Sequence, residues 1–214
     1  MKTPLFLSKE TLLSLILLLA LASSRAEDTV KYGSKFGSSV KIDGTSNIHD
    51  WTVKGQIIKG SMEVAAAFDK DLKTLAPTPK VEVSIPVRSL KSNNGKMDEV
   101  MQEHMKMKDF PEIKYTLTKM TAKGDPKGPN GPAEFDTTGD LTVSGAKKSI
   151  DMPVTIERVD GGKLKVTGTI ALKMTDFKIS PPAPALAMGL IKTGDDVKLA
   201  IEWIIGGDTA AAAK

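Results

Sequence analysis

From about Val30 onward the chain repeats one kind of unit, a stretch of alternating apolar and polar residues closed by Gly, Asn, Asp or Pro. Alternation of period two marks antiparallel strands with one buried face. The clearest inward sets are Val81, Val83, Ile85 and Val87; Ile150, Met152, Val154 and Ile156; Leu164, Val166, Ile170, Leu172 and Met174; and Val197, Leu199, Ile201, Trp203 and Ile205. Between them stand Glu82, Ser84, Asp151, Thr155, Lys165, Thr167, Lys198 and Glu202, which face water. Weaker strands fit at Ser39–Thr45, Trp51–Phe68, Glu112–Thr121 and Glu134–Ser144, bringing the tally to eight. Eight strands close a small barrel. Short turn signals at Asp160-Gly161-Gly162 and Gly145–Lys148 put consecutive strands side by side in a meander, and closure removes exposed edges. The pattern predicts a mainly β fold, an eight-stranded antiparallel barrel. A two-sheet sandwich is the alternative that alternation alone does not separate.

Three segments break the pattern. Gly95–Met107 places Met97, Val100, Met101 and Met105 on one helical face, with acidic residues early and lysines late, as the helix dipole favours. This is one short amphipathic helix. Lys123–Pro132 is so rich in Gly and Pro that it reads as a variable hairpin tip. Thr175–Asp196 joins two strands through Pro181, Pro182 and Pro184 and carries Leu186, Met188, Leu190 and Ile191, which are exposed unless they cover something. It reads as a long lid loop. The tail from Asp208 to Lys214 is small and polar and reads as disordered.

Ahead of the strands, Lys2 and Lys9 precede an apolar run from Leu12 to Ala22 and the small-residue pattern Ser24-Arg25-Ala26. That is the layout of a cleaved secretory leader, and the run is too short to cross a bilayer, which takes about 20 residues. The reading divides the chain into a leader at 1–26, one barrel domain at 27–207 and the tail. It makes the mature protein periplasmic or secreted and not an integral membrane protein. The leader holds Lys2, Lys9 and Arg25 against Glu10, so the precursor's net charge of +4 falls to about +2 once it is removed. No Lys/Arg cluster with interleaved aromatics builds a phosphate-tracking stripe, which argues against nucleic acid as a partner. With no cysteine in the chain, disulfides, thiolate metal sites and a lipidated cysteine are all excluded.

The inventory for catalysis is thin. The sequence holds two His and no nucleophile elbow, zinc-protease, P-loop or dinucleotide motif. His49 and Asp50 are adjacent, so on a strand they point to opposite faces and do not form a base and its orienter unless the backbone turns there. The sequence is read as that of a non-enzyme without a cofactor; an enzyme acting on a lipid-like substrate through His49 is the rival. Met97, Met101, His104, Met105 and Met107 put soft ligands within two helical turns, which would suit Cu(I) in a periplasmic metal binder. The same spacing serves a helix packing methionines onto a barrel, and that reading is preferred, so no metal site is assigned. Aliphatic residues dominate the strand faces while aromatics make up 5% of the chain. Such a barrel interior is either filled by its side chains or open to one small apolar ligand, and the residues alone leave both standing.

Several motifs in order then resemble one family. Gly44-Thr45-Ser46-Asn47-Ile48-His49-Asp50-Trp51, Ile85-Pro86-Val87-Arg88-Ser89-Leu90-Lys91-Ser92, Met97-Asp98 and Phe110-Pro111-Glu112-Ile113 look like the YceI-like polyisoprenoid-binding family. So do Gly139–Gly145, Met174–Pro182 and Lys192–Val197, and together they span nearly all of the mature chain. The resemblance implies an extended lipocalin-like barrel, usually exported, whose apolar pore takes the tail of a polyisoprenoid such as an isoprenoid quinone or prenyl phosphate. It brings no catalytic residues, and it leaves a homodimer open. On this footing Val83, Ile85, Leu117, Leu141, Ile170, Leu172, Ile201 and Trp203 are expected to line the pore, and His49, Trp51, Asp176 and Phe177 to stand at its mouth. The insertion at Lys123–Pro132 and the methionines at 105 and 107 have no match in the family pattern, and Gly168 and Ala171 are expected to thin the lining of one strand.

Overall fold

The computed structural model of the chain describes residues 28–124, 131–183 and 190–207. The leader, the centre of the Lys123–Pro132 tip, residues 184–189 of the expected lid and the C-terminal tail lie outside the described residues.

Ten strands form one antiparallel sheet. They are β1 (Thr29–Ser34), β2 (Ser39–Ser46), β3 (Trp51–Gly55), β4 (Lys59–Ala65), β5 (Lys80–Pro86), β6 (Glu112–Lys123), β7 (Ala133–Val143), β8 (Ala146–Val159), β9 (Lys163–Lys173) and β10 (Thr193–Gly207). β1 pairs with both β4 and β10, so β1 and β4 to β10 close a ring of eight, with β2 and β3 as two further strands. The expected eight-stranded barrel is present. β10 carries β2 along Thr193–Glu202 and β1 along Ile205–Gly207, so β1 and β2 lie end to end on one edge of β10. The break between them is bridged by Ser38: its hydroxyl accepts from the Ile204 amide at 3.0 Å and donates to the Lys35 carbonyl at 3.0 Å. β3 and β4 continue that line, β3 on β2 and β4 on β1.

Three expectations need correction. β1 did not stand out in the alternation, although Tyr32 points inward and is buried. The stretch Trp51–Phe68 is two strands and a helix, α1 (Ala66–Lys70), because Ala65-Ala66-Ala67 favours helix and the turn folds Phe68 and Leu72 under the barrel, where both are buried. The second helix, α2, runs Gly95–His104 and stops short of Met107: Lys106 takes a left-handed conformation (φ 52°), and the Met107 amide bonds back to the Gln102 carbonyl at 2.9 Å. Its start is fixed by Asn94, whose side chain accepts from the Lys96 and Met97 amides at 3.1 and 3.2 Å.

The meander gives the barrel two distinct ends. α1, with Phe68 and Leu72, sits at the end where β4 stops and β5 begins. The opposite end gathers α2, the β2–β3 and β7–β8 connections, and the segment after β9, which opens with a 3₁₀ turn at Met174–Phe177. The described residues on either side of 184–189 are tied down. Ser180 meets His104, carbonyl oxygen to Nδ1, at 2.9 Å, and Asn47 holds residues 190–192 through its amide to the Lys192 carbonyl (3.0 Å), its side-chain NH₂ to the Leu190 carbonyl (2.7 Å) and its side-chain oxygen from the Lys192 amide (2.8 Å). Phe177, Ile179 and Met105 are buried at this end.

The ring is not equally paired everywhere. β8 and β9 pair only through Val154–Val159 and Lys163–Gly168. Beyond that point Ala146–Pro153 stays on β7 and Thr169–Lys173 stays on β10, but the two stretches do not pair with each other. Pro153, which has no N–H to offer a ladder, stands where the pairing stops.

Candidate functional site in the barrel lumen

The inward faces of β5 to β10 enclose a cavity of about 100 Å³. Its walls are Val81, Val83 and Ile85 from β5, Ile113, Tyr115, Leu117 and Met120 from β6, Thr137 and Leu141 from β7, Ile150, Met152, Val154 and Ile156 from β8, Val166 and Ile170 from β9, and Leu199, Ile201 and Trp203 from β10, with Met62 of β4 below. A bulge between Leu117 and Lys119 shifts the phase of β6, which is why Met120 points in and Lys119 does not. That three-residue step from Leu117 to Met120 was the sequence signal for the bulge.

Seven of the eight residues expected to line a pore, Val83, Ile85, Leu117, Leu141, Ile170, Ile201 and Trp203, face this cavity. Leu172 points inward too but packs on the core beyond the cavity, half-buried. Ala171 is exposed and does not thin the lining, because it falls on the outward phase of β9. Gly168 is on the inward phase, and a Cβ there would come within 3.1 Å of Val154 and 3.2 Å of the Met152 sulfur.

Few polar groups face the lumen. The indole N–H of Trp203 donates to Ser34 at 2.7 Å, which leaves its ring to the cavity. Thr137 donates to the Met152 carbonyl at 2.6 Å. Tyr115 lies flat against Gly139, where any side chain would fall inside its ring, and burial pushes its phenol above the usual range despite a hydrogen bond with Thr137. Tyr115 and Thr137 together make a single polar spot in an aliphatic wall. Sequence reading missed both, since a Tyr and a Thr on alternating strands carry no distinctive signal.

The four residues expected at a mouth all sit at the α2 end, in two groups. Trp51 packs over Gly44 with its N–H on the Thr45 carbonyl at 3.0 Å, while His49 is exposed, 3.4 Å from the Ser46 hydroxyl. Asp176 is on the surface, paired to Lys148 at 2.6 Å. Phe177 is buried and plugs the end instead of rimming it. None of the four lines the cavity. Met97, Met101, Met105 and Met107 pack on the core, consistent with their reading as packing residues.

The motif residues that fix this end are better explained. Asp98 is buried in the first turns of α2 and accepts from both the amide and the hydroxyl of Ser92 at 2.7 Å, with Lys91 at 3.5 Å. Burial alone would raise its carboxyl, but the two Ser92 hydrogen bonds and the Lys91 charge outweigh it and hold the group below the usual carboxylate range. Asp195 is likewise held low, by the hydroxyl and amide of Thr175, and so pins the 3₁₀ turn to the start of β10.

A family model, the YceI-like domain, matches residues 29–204, from the start of β1 to within the last strand. The chain belongs to the YceI-like domain family. Solved structures agree with the YceI-like fold. A polyisoprenoid binding domain from Saccharophagus degradans, implicated in plant cell wall breakdown, is 12% identical, with a TM-score of 0.65 over 84% of this chain and 99% of its own. BcnA of Burkholderia cenocepacia is 15% identical, with a TM-score of 0.59 over 78% and 95%. The Campylobacter jejuni YCEI protein is 19% identical, with a TM-score of 0.52 over 73% and 84%. Among curated proteins, none gives a significant match. No helix among the described residues is long and apolar enough to cross a membrane.

Proposed function

We propose that this YceI-like barrel is an exported carrier that sequesters the apolar chain of an amphiphilic lipid, of the isoprenoid quinone or prenyl phosphate class, without covalent chemistry of its own. The observation that carries the reading is the cavity: a closed antiparallel ring whose inner wall is apolar on every strand from β5 to β10, mostly aliphatic with methionines and the Trp203 ring, and which carries hydroxyls at Tyr115 and Thr137. The polyisoprenoid binding described for the Saccharophagus neighbour supports the same class of ligand. Export rests on the leader at 1–26.

The energetics set a lower bound on the chain. Micromolar affinity needs about 8 kcal/mol, and each buried CH₂ contributes about 0.8 kcal/mol before ordering costs, so about ten carbons or more must be taken in. The cavity of about 100 Å³ is smaller than the roughly 150 Å³ that accommodates benzene in an engineered core, so binding requires the wall to widen. Met62, Met120 and Met152 supply adaptable side chains for that purpose.

Trp203 provides the readout, because its ring faces the cavity. In a Trp51→Phe background, decylubiquinone is expected to quench the remaining indole saturably, with geranylgeraniol competing. Absence of saturable quenching, together with a lipid-free mass for the protein purified from its host, would refute the reading. The N-terminal residue of that same protein tests export: a chain beginning at Glu27 supports the leader, and an intact Met1 end overturns it.

A further inference from the structure

Resting on the carrier reading, we infer that the ligand chain enters and leaves through the side of the barrel, by the unpaired slit between β8 and β9, and not through the α2 end. Both ends are stopped with side chains. Phe68 and Leu72 are buried at the α1 end and Phe177, Ile179 and Met105 at the other, where Ser180 is held by His104 and residues 190–192 by Asn47. The slit has no such stopper among the described residues. It is bounded below by the last β8–β9 pair, Val154 with Gly168, and above by the Lys148–Asp176 ion pair, which reaches from β8 to the turn after β9.

The lips of the slit suit an apolar chain. Ile150 and Met152 on one side and Ile170 and Leu172 on the other follow the inward phase, so the two unladdered edges carry four aliphatic or thioether side chains and no charge on that face. At the base of the slit an outer groove runs past Pro153, Gly168 and Thr169, and it shares Val154 and Ile201 with the cavity wall. Gly168 matters here because its missing side chain leaves room for the Met152 thioether, a flexible group able to swing aside. The strand edges facing the slit share no ladder, so widening it breaks no β8–β9 backbone hydrogen bond; the Lys148–Asp176 pair is exposed and therefore a weak clasp.

The absence of native cysteine makes the test clean. Continuing the β8–β9 register sets Asp151 opposite Ala171, both exposed. In Asp151→Cys/Ala171→Cys the slit is stapled by oxidation or, if the gap is too wide, by a bismaleimide; His104→Cys/Ser180→Cys staples the α2 end instead. Each reduced protein is its own folding control. With decylubiquinone and Trp203 quenching, the slit staple is expected to slow both uptake and release tenfold or more, and the end staple to leave both unchanged. Unaltered rates in the slit-stapled protein, or slowing by the end staple alone, would overturn the side entry. If the reduced proteins and the parent take up no quinone, the carrier reading itself fails, and the portal with it.

Discussion

Asp98 offers the sharpest test of how the α2 end is held. Its carboxylate receives two 2.7 Å hydrogen bonds from Ser92, and the side chain is 10% exposed, whereas Lys91 is half-exposed and adds little. Hydrogen bonds to a charged group contribute about 1.5–3 kcal/mol each in buried settings, and less near the surface where Ser92 regains water; Asp98→Ala is therefore expected to cost about 2–3 kcal/mol, or about 4–12 °C in Tm for a domain of this size. Asp98→Asn keeps one acceptor oxygen and should cost about half as much. The pH dependence follows from the direction of the shift. A carboxyl held below its unfolded value stabilises the fold above that value, and the contribution is lost as pH falls through the lower, folded one. Urea unfolding of wild type and Asp98→Ala should differ fully at pH 7 and converge as the pH drops below about 4. A difference under 0.5 kcal/mol at pH 7, or one that persists unchanged at low pH, refutes the anchoring role.

Other outcomes follow from the lumen. Gly139→Ala forces Tyr115 off its seat and should destabilise by about 1–3 kcal/mol, with Tyr115→Ala in the same chain recovering much of the loss in a double-mutant cycle. Ile201→Phe fills much of the cavity without adding an indole, so quinone quenching of Trp203 should weaken at least tenfold while circular dichroism stays that of a β-barrel; retained affinity would place the ligand elsewhere. Asn47→Ala removes two side-chain hydrogen bonds to residues 190–192, so hydrogen exchange at the Lys192 amide should quicken with global stability changed by less than about 1 kcal/mol, since the site is exposed.

Much of the barrel was legible in the residues. Strand phase is a local property: a half-buried strand must alternate, so the inward sets of β5, β8, β9 and β10 could be read directly, and with them twelve of the cavity's wall residues. Turn chemistry and the ordered family motifs then placed those strands in a meander. Pairing is not local. That β1 rather than β2 closes the ring, that Ser38 and the Ala65–Ala67 run interrupt strands, and that β8 and β9 part company at Pro153 all depend on which backbone groups find partners across the barrel. The sequence by itself determined which side chains face inward; the tertiary structure decided how much room they leave, that Phe177 stops the end expected to be open, and that β8 and β9 share no ladder beyond Val154 and Gly168. The physical reason is that side-chain direction is set by each strand's own geometry, whereas volume and closure are set by the fit of every strand against its neighbours.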